Sequence, residues 1–498
     1  MVTVPDHADE TVGELVGVAE AGALIDGRLE RPMYAGTFPV DAPGLSKTVA
    51  EVPDCEPDQA GRALSAAVGA QPGWEAESVQ ARAALVAGLR DRIAARRGLY
   101  AAAIALESGK VRGNADKEVD VALATLAELL EVHEQAVRPE EGRYRSDPDL
   151  EVGLAPVGPS LLITPWNFPL SLPIRKVASS LLAGCPFILK PAEETPMTAA
   201  LIGQDLDAAG MPAGVGAVLP TAQPAAVVES LMARPSLRKV SFTGSVEVGR
   251  VMVRNSAEHF QRVSLELGGN AAVVIGRIDD LEQCLTDVLA GKLANSGQAC
   301  ISPNRLYIVR DQMSDAIDIL RGKLDEVAVG WDLRDDRFQV GPLINLAAAK
   351  KIQDLLGHAR AAGASVLQPA GSSELGENYV LPAIVTNADE SWPVVEEEIF
   401  GPVLPLLPYD RVDEAVAAAN RTDYGLAHYI YSDDPREADN LSSLLEAGMV
   451  GVNRPSVSDP RIPFGGIKHS GYGRENGIDG IREFMTPRSR IGRGFRVS

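Results

Sequence analysis

The chain has 498 residues, 45% of them apolar and 23% charged, the balance of a globular protein with two or three structural units. Its formal charge of −21 is scattered along the chain, which argues against nucleic acid as a partner. No apolar run suits a membrane span, and the acidic opening MVTVPDHADET does not suit a secretory signal, so the cytoplasm is the expected address.

The first hundred and thirty residues are alanine-rich. Leu85, Leu89, Ile93 and Leu99 recur at helical spacing between Ala81 and Leu106, and Val119 to Val132 continue the pattern. This part predicts a helical scaffold. Asp147-Pro148-Asp149 then reads as a hairpin turn between two strand-like runs. From residue 160 short apolar strands alternate with helices: SLLIT (160–164), a helix through Leu182, PFILKP (186–191), a helix over 197–209, AVLP (217–220), a helix over 224–233, KVSFTGS (239–245) and RVSLELGG (262–269). Such alternation predicts a parallel sheet covered by helices on both faces, with ligands beyond the carboxyl ends of the strands. Those ends carry PWN (165–167), Lys190-Pro191, Thr243-Gly244-Ser245 and Glu266-Leu267-Gly268-Gly269. A second α/β half starts near Asn270 with AAVVIG and a helix through Leu285, Leu289 and Leu293. The chain closes with a basic strand candidate, RSRIGRGFRV, placed to pair with the early hairpin.

Four cysteines and six histidines show no metal-ligand or C-x-x-C spacing, so no metal site is expected. Cys185, at a strand start, and Cys284, among helix leucines, read as structural. Cys300 follows the turn Asn295-Ser296-Gly297, where a thiol can face a cleft; a buried structural cysteine is the competing reading. Glu266 ends an apolar strand, a costly place for a carboxylate unless it is a rim salt bridge or a general base. Asn167 sits in a turn from which its amide can donate to an oxyanion.

Taken together, PWNFP (165–169), KPAEETP (190–196), FTGS (242–245), LELGG with GQAC placing Cys300 34 residues after Glu266, EEIFGPV (397–403) and PFGGIKHSGYGRE (463–475) resemble the NAD(P)-dependent aldehyde dehydrogenase superfamily. The resemblance implies a Rossmann-type cofactor domain (1–133 and 157–267) and a catalytic α/β domain (268–448), with 449–479 returning to line the active site. A small β extension (134–156 and 480–498) would pair subunits into a homodimer or homotetramer. It implies Cys300 as nucleophile, Asn167 and the Cys300 backbone N–H as oxyanion donors, and Glu266 as the base that hydrolyses a thioester. Lys176 and Glu475 match positions that support proton movement, although plain salt bridging explains them equally well.

The same resemblance implies that Lys190 and Glu193 embrace the adenosine ribose, with the carboxylate favouring NAD over NADP. Gly244 and Ser245 would set a helix N-terminus under the pyrophosphate. Thr164, Pro165, Trp166 and Leu267 would complete the cofactor wall, Glu398 would hold the nicotinamide ribose, and Phe400 would flank the ring. The stretch 219–230 lacks the glycine common near the adenine. Around Arg175 and in SGYGRE the chain is similar to succinate-semialdehyde dehydrogenases, which carry a second arginine where this sequence has Ala294. Arg175 and Phe464 are the substrate-contact candidates, and Arg461 is a possible second charge. The implied substrate is a small-molecule aldehyde, either a semialdehyde acid or an uncharged aliphatic or aromatic aldehyde, and Arg175 as a packing residue stands as an alternative. A catalytically silent relative and a coenzyme A-acylating enzyme are disfavoured by the presence of Cys300, Asn167 and Glu266.

Overall fold

The computed structural model describes residues 6–30, 36–139, 149–369 and 375–492. Helix α1 (Asp6–Glu20) leads into β1 (Ala23–Ile25) and β2 (Arg28–Glu30), joined through Asp26 and Gly27, both at positive φ as a tight hairpin requires. Strands β3 (Thr37–Ala42) and β4 (Lys47–Pro53) form a separate antiparallel ribbon. Four helices follow: α2 (Pro57–Ala76), α3 (Val79–Ala95), α4 (Arg97–Ser108) and α5 (Arg112–Ala136). The helical run expected over 81–106 is thus two helices. Arg96, at φ −104° and ψ 21°, ends the α3 ladder and starts α4. The β strands before residue 54 interrupt a region whose alanine content predicts only helix.

The alternating half folds as β5 (Leu150–Pro156), β6 (Ser160–Ile163), α6 (Ser171–Ala183), β7 (Phe187–Lys190), α7 (Pro196–Ala208), β8 (Gly216–Val218), α8 (Pro224–Met232), β9 (Lys239–Thr243), α9 (Val246–Ser256) and β10 (Arg262–Glu266). Of the hairpin expected around Asp147-Pro148-Asp149, the first two residues lie outside the described residues. The second half holds β11 (Ala271–Ile275), α10 (Leu281–Leu293), β12 (Pro303–Val309), α11 (Met313–Asp325), α12 (Leu346–Ala361), β13 (Ser365–Leu367), β14 (Ala383–Thr386), α13 (Pro393–Glu396), β15 (Val403–Tyr409), α14 (Val412–Asn420), β16 (Ala427–Tyr431), α15 (Pro435–Leu444) and β17 (Met449–Val452). The chain ends through β18 (Gly471–Tyr472), α16 (Gly477–Arg482) and β19 (Met485–Ile491).

Two α/β sheets result. The first runs β18-β10-β9-β6-β7-β8-β1-β2, with β10, β9, β6, β7 and β8 parallel; the second runs β13-β14-β15-β12-β11-β16-β17. Their central strands, such as β6, β7, β8 and β11, are buried on both faces, which is why they read as unbroken apolar runs. All five residues of β11 are buried, and its two valines and isoleucine each contribute about 1.5–3 kcal/mol. The C-terminal strand β19 pairs antiparallel with β5 from Met485↔Pro156 to Ile491↔Leu150; of the strand expected over RSRIGRGFRV, residues 493–497 lie outside the described residues. The segment after β17 recrosses to the first sheet, where β18 pairs with the end of β10. That crossing puts residues 464–475 beside Glu266.

Candidate active site

A cavity of about 690 Å³ opens where the two sheets meet, at the carboxyl ends of β9 and β10. Cys300 lies on its wall, half-buried, just past a backbone that few sequences tolerate. Asn295, Ser296 and Gly297 are all left-handed, at φ 52°, 55° and 75°. Two non-glycine residues in that region carry strain, and the surroundings must hold them. Ser296 Oγ donates to Gly341 O and accepts from Gly341 N, at 3.1 and 3.0 Å. Gly297 is required because a Cβ there would stand 2.1 Å from Gly401 O. Gly269 in turn packs against the Cys300 carbonyl, where a Cβ would come within 2.5 Å.

Asn167 is fastened to the same turn. Its Nδ2 donates to Gln298 O at 3.0 Å, and Asn295 Nδ2 donates to Asn167 O at 3.1 Å. One hydrogen of the Asn167 amide is therefore spoken for, and the other is free to meet an oxygen in the cavity. Burial pushes the Cys300 thiol up to about 12, helped by the charges of Glu398 and Glu266, while Arg175 pulls the other way. In this state the residue is a thiol, and attack requires a base.

Glu266 supplies a carboxylate at the end of β10. It is buried, its Oε2 has no hydrogen-bond partner, and its Oε1 lies over Gly465, where a Cβ would come within 2.7 Å. Burial first and the charge of Glu475 second hold it well above the usual carboxylate range, against Lys176, Arg474 and Arg175. Glu475 also lines the cavity, and its Oε1 accepts from Lys176 Nζ at 2.5 Å. Lys176 itself is buried behind the wall.

Arg175 and Lys176 are neighbours on α6, whose start is fixed from a distance. Glu118 Oε1 accepts from Leu170 N and Ser171 N at 2.9 and 3.1 Å, satisfying backbone donors at the start of that helix. Glu118 also pairs with buried Lys110. Arg175 is 5% exposed, lies 4.7 Å from the Phe464 ring centre and donates through Nη2 to Ser458 Oγ at 3.3 Å. Its Nε has no partner, and among the described residues no carboxylate forms an ion pair with it. Arg461 does not supply a second charge to the cavity: it is exposed and held by Asp459 at 2.7 Å. Ser458, Asn114 and Lys117 line the cavity without having been legible beforehand.

The other end of the cavity joins a helix N-terminus to a glycine-lined wall. Ser245 caps α9, its side chain accepting from Val248 N at 3.3 Å, so Gly244 and Ser245 present the positive end of that helix. Glu398 Oε1 accepts from Gly269 N at 3.0 Å, and Gly268 is needed because a Cβ would lie 2.5 Å from Oε2. Burial pushes Glu398 up to about 7, opposed by that backbone bond and by Lys351 and Lys292. Phe400, at φ 55°, meets the Trp166 ring edge-on at 5.5 Å. Pro165 and Leu267 complete this wall. Thr164, Lys190 and Glu193 lie outside it; Thr164 N donates to Lys190 O at 3.2 Å, and Lys190 Nζ pairs with Glu193 at 2.8 Å. The cap, the glycine approach and the orphaned Thr243 Oγ1 beside it fit the dinucleotide cofactor that the motifs imply. Cys55, Cys185 and Cys284 are buried, and burial pushes their thiols up.

Among known proteins, the aldehyde dehydrogenase family matches over residues 32–489. A succinate-semialdehyde dehydrogenase of Paenarthrobacter nicotinovorans is 37% identical over 429 residues, 85% of this chain and 94% of that protein. The NADP(+) succinate-semialdehyde dehydrogenase of Escherichia coli is 33% identical over 463 residues, 93% of this chain and 96% of that one. The crystal structure of succinate-semialdehyde dehydrogenase from Burkholderia pseudomallei superposes with a TM-score of 0.90 at 32% identity, covering 95% of this chain and 98% of that chain.

Proposed function

This chain belongs to the aldehyde dehydrogenase family, and we propose that it oxidises a semialdehyde acid to the dicarboxylic acid with NAD, by way of a thioester on Cys300. It is an oxidoreductase acting on aldehydes. One observation carries the acid: a buried guanidinium without an ion-pair partner among the described residues shares the cavity with Cys300. A charge left so is costly unless an anion joins it, and a substrate carboxylate received by Arg175 and Ser458 meets that need.

The Cys300 thiol gives its proton to Glu266 as Sγ attacks the aldehyde carbon. The oxygen of the resulting thiohemiacetal takes the free hydrogen of Asn167 Nδ2 and the Cys300 backbone N–H, each such donor being worth about 3–4 kcal/mol at the transition state. Nicotinamide dinucleotide, when bound, supplies the hydride acceptance that takes this adduct to a thioester. Once the first proton has left Glu266, the carboxylate draws a second from water, the water oxygen bonds the acyl carbon, and the C–S bond breaks with its electron pair returning to Sγ. Glu475 and Lys176 are in place to carry the proton away.

The choice of NAD rests on Glu193, held toward Lys190, since a carboxylate there accepts from a ribose 2′-hydroxyl and repels a 2′-phosphate. We also read the β5–β19 ribbon as the extension that pairs subunits into a homodimer or homotetramer. The test is reduced-cofactor formation at 340 nm over succinic semialdehyde, propanal and benzaldehyde, each with NAD and NADP and with or without coenzyme A. The acid with NAD is expected to be preferred and Cys300→Ala to be silent. Preference for propanal or benzaldehyde would refute the acid, and dependence on coenzyme A would refute the hydrolysis.

A further inference from the structure

A substrate anion meets a chain whose formal charge is −21, so at long range the protein repels what Arg175 would receive. Arg175 is 5% exposed and shows little of its charge to solvent. The sign of the potential at the cavity mouth therefore decides how readily an acid arrives. Among the described residues three other cations line the cavity. Lys110 is buried and paired with Glu118. Lys351, at the cofactor end, lies 3.9 Å from Glu397 and donates to the Glu398 carbonyl at 3.3 Å. Lys117 is exposed, and no carboxylate among the described residues pairs with it.

Acids are not scarce on α5. Asp116, Glu118 and Asp120 flank Lys117, but each is drawn to another partner: Asp116 to Arg112 at 2.7 Å, Glu118 to Lys110 and Asp120 to Arg97. At the helical distances i−4, i−3 and i+4 the lysine meets Gly113, Asn114 and Val121, none of them an acid. Asn114, Lys117 and Val121 all line the cavity, so one face of α5 forms this wall. Helix α10 contributes Ala290, Gly291 and Ala294, none longer than a methyl group. Gly291 packs on Pro455 so tightly that a Cβ would come within 2.8 Å of its carbonyl oxygen. Side chains from α10 are thus too short to cover the ammonium or to pair with it. Glu118, the next residue, holds Leu170 N and Ser171 N at the start of α6, one turn ahead of Arg175. The two unpaired cations border one cavity at two depths.

We propose that Lys117 is the recruiting residue for the acid: its ammonium meets the substrate carboxylate at the mouth and passes it to Arg175 and Ser458. The inference rests on the substrate being a semialdehyde acid. The ion pair made in water at Lys117 exchanges for charge-assisted hydrogen bonds at a guanidinium withdrawn from water, where they are stronger. A rim charge of this kind sets the association rate and its salt dependence. Lys117 so acts on capture, and on acids alone.

The test is kcat/KM for succinic semialdehyde and for butanal at saturating NAD, at two ionic strengths. At about 10 mM the Debye length is about 30 Å, and at about 1 M it is about 3 Å. Lys117→Met is expected to lower kcat/KM for the acid by about fivefold at low salt, through KM, and Lys117→Glu by more. Lys117→Arg should restore it, and at high salt all of these proteins should converge. Butanal should show neither the loss nor the salt dependence. An acid-to-butanal ratio that is the same in wild type and Lys117→Met at low salt overturns the recruiting role, as does a loss that persists at high salt. Arg175→Leu run beside them separates two failures. If it collapses the ratio while Lys117→Met does not, only the recruiting role has failed; if neither moves the ratio, the semialdehyde reading has failed with it.

Discussion

Replacing Arg175 by leucine separates substrate recognition from packing. In the structure the guanidinium is 5% exposed, holds one hydrogen bond of 3.3 Å to Ser458 and lies over Phe464. A hydrogen bond to a charged group is worth about 1.5–3 kcal/mol, so losing the contact to a substrate carboxylate lowers kcat/KM by about 10- to 150-fold. Arg175 also acts on Cys300 and Glu266, and that influence falls on every substrate alike. The ratio of kcat/KM for succinic semialdehyde to that for butanal isolates the carboxylate. Arg175→Leu is expected to collapse that ratio by at least tenfold while the midpoint of thermal unfolding holds, since a buried charge without an ion-pair partner is removed. An unchanged ratio would refute the recognition role, and unfolding would show a packing role instead.

Three further outcomes follow from the geometry. Gly465→Ala forces a Cβ to within 2.7 Å of both Glu266 Oε1 and Gly473 O, so kcat should fall by more than tenfold in a protein whose circular dichroism is unchanged. Glu118→Gln leaves Lys110 charged and buried and loosens the start of α6, so stability should drop by about 3 kcal/mol, read as a lower midpoint in urea. Glu266 must be ionised to act as a base, and burial raises its pKa. The acid limb of kcat should therefore lie above the usual carboxylate range, and Glu475→Gln should move it to lower pH, as a pH–rate profile would show.

Much of this site was legible because its residues stand in short contiguous motifs, PWN, LELGG and GQAC, each at a strand end or a turn. The alternation of apolar runs likewise announced the parallel strands from β6 to β10. What escaped had other causes. Strands β1 and β2 are three residues long, too short for a period to register, and they join the first sheet only through β8. Glu118 looks like an exposed helix residue until α6, 52 residues away, brings its backbone N–H groups to it. Ser458 carries no local signal, because only the crossing between the two sheets sets it against Arg175. Arg461 misled for the converse reason: Asp459, two residues before it, captures its guanidinium.

The most direct test of the central claim is the intact mass of the wild-type enzyme, acid-quenched within its first turnover of succinic semialdehyde and NAD. A thioester should be caught, adding one succinyl group per chain that peptide mapping places on Cys300, and Glu266→Gln, which lacks the base for attack, should show none. No adduct despite reduced-cofactor formation, or an adduct at another residue, would contradict the covalent mechanism.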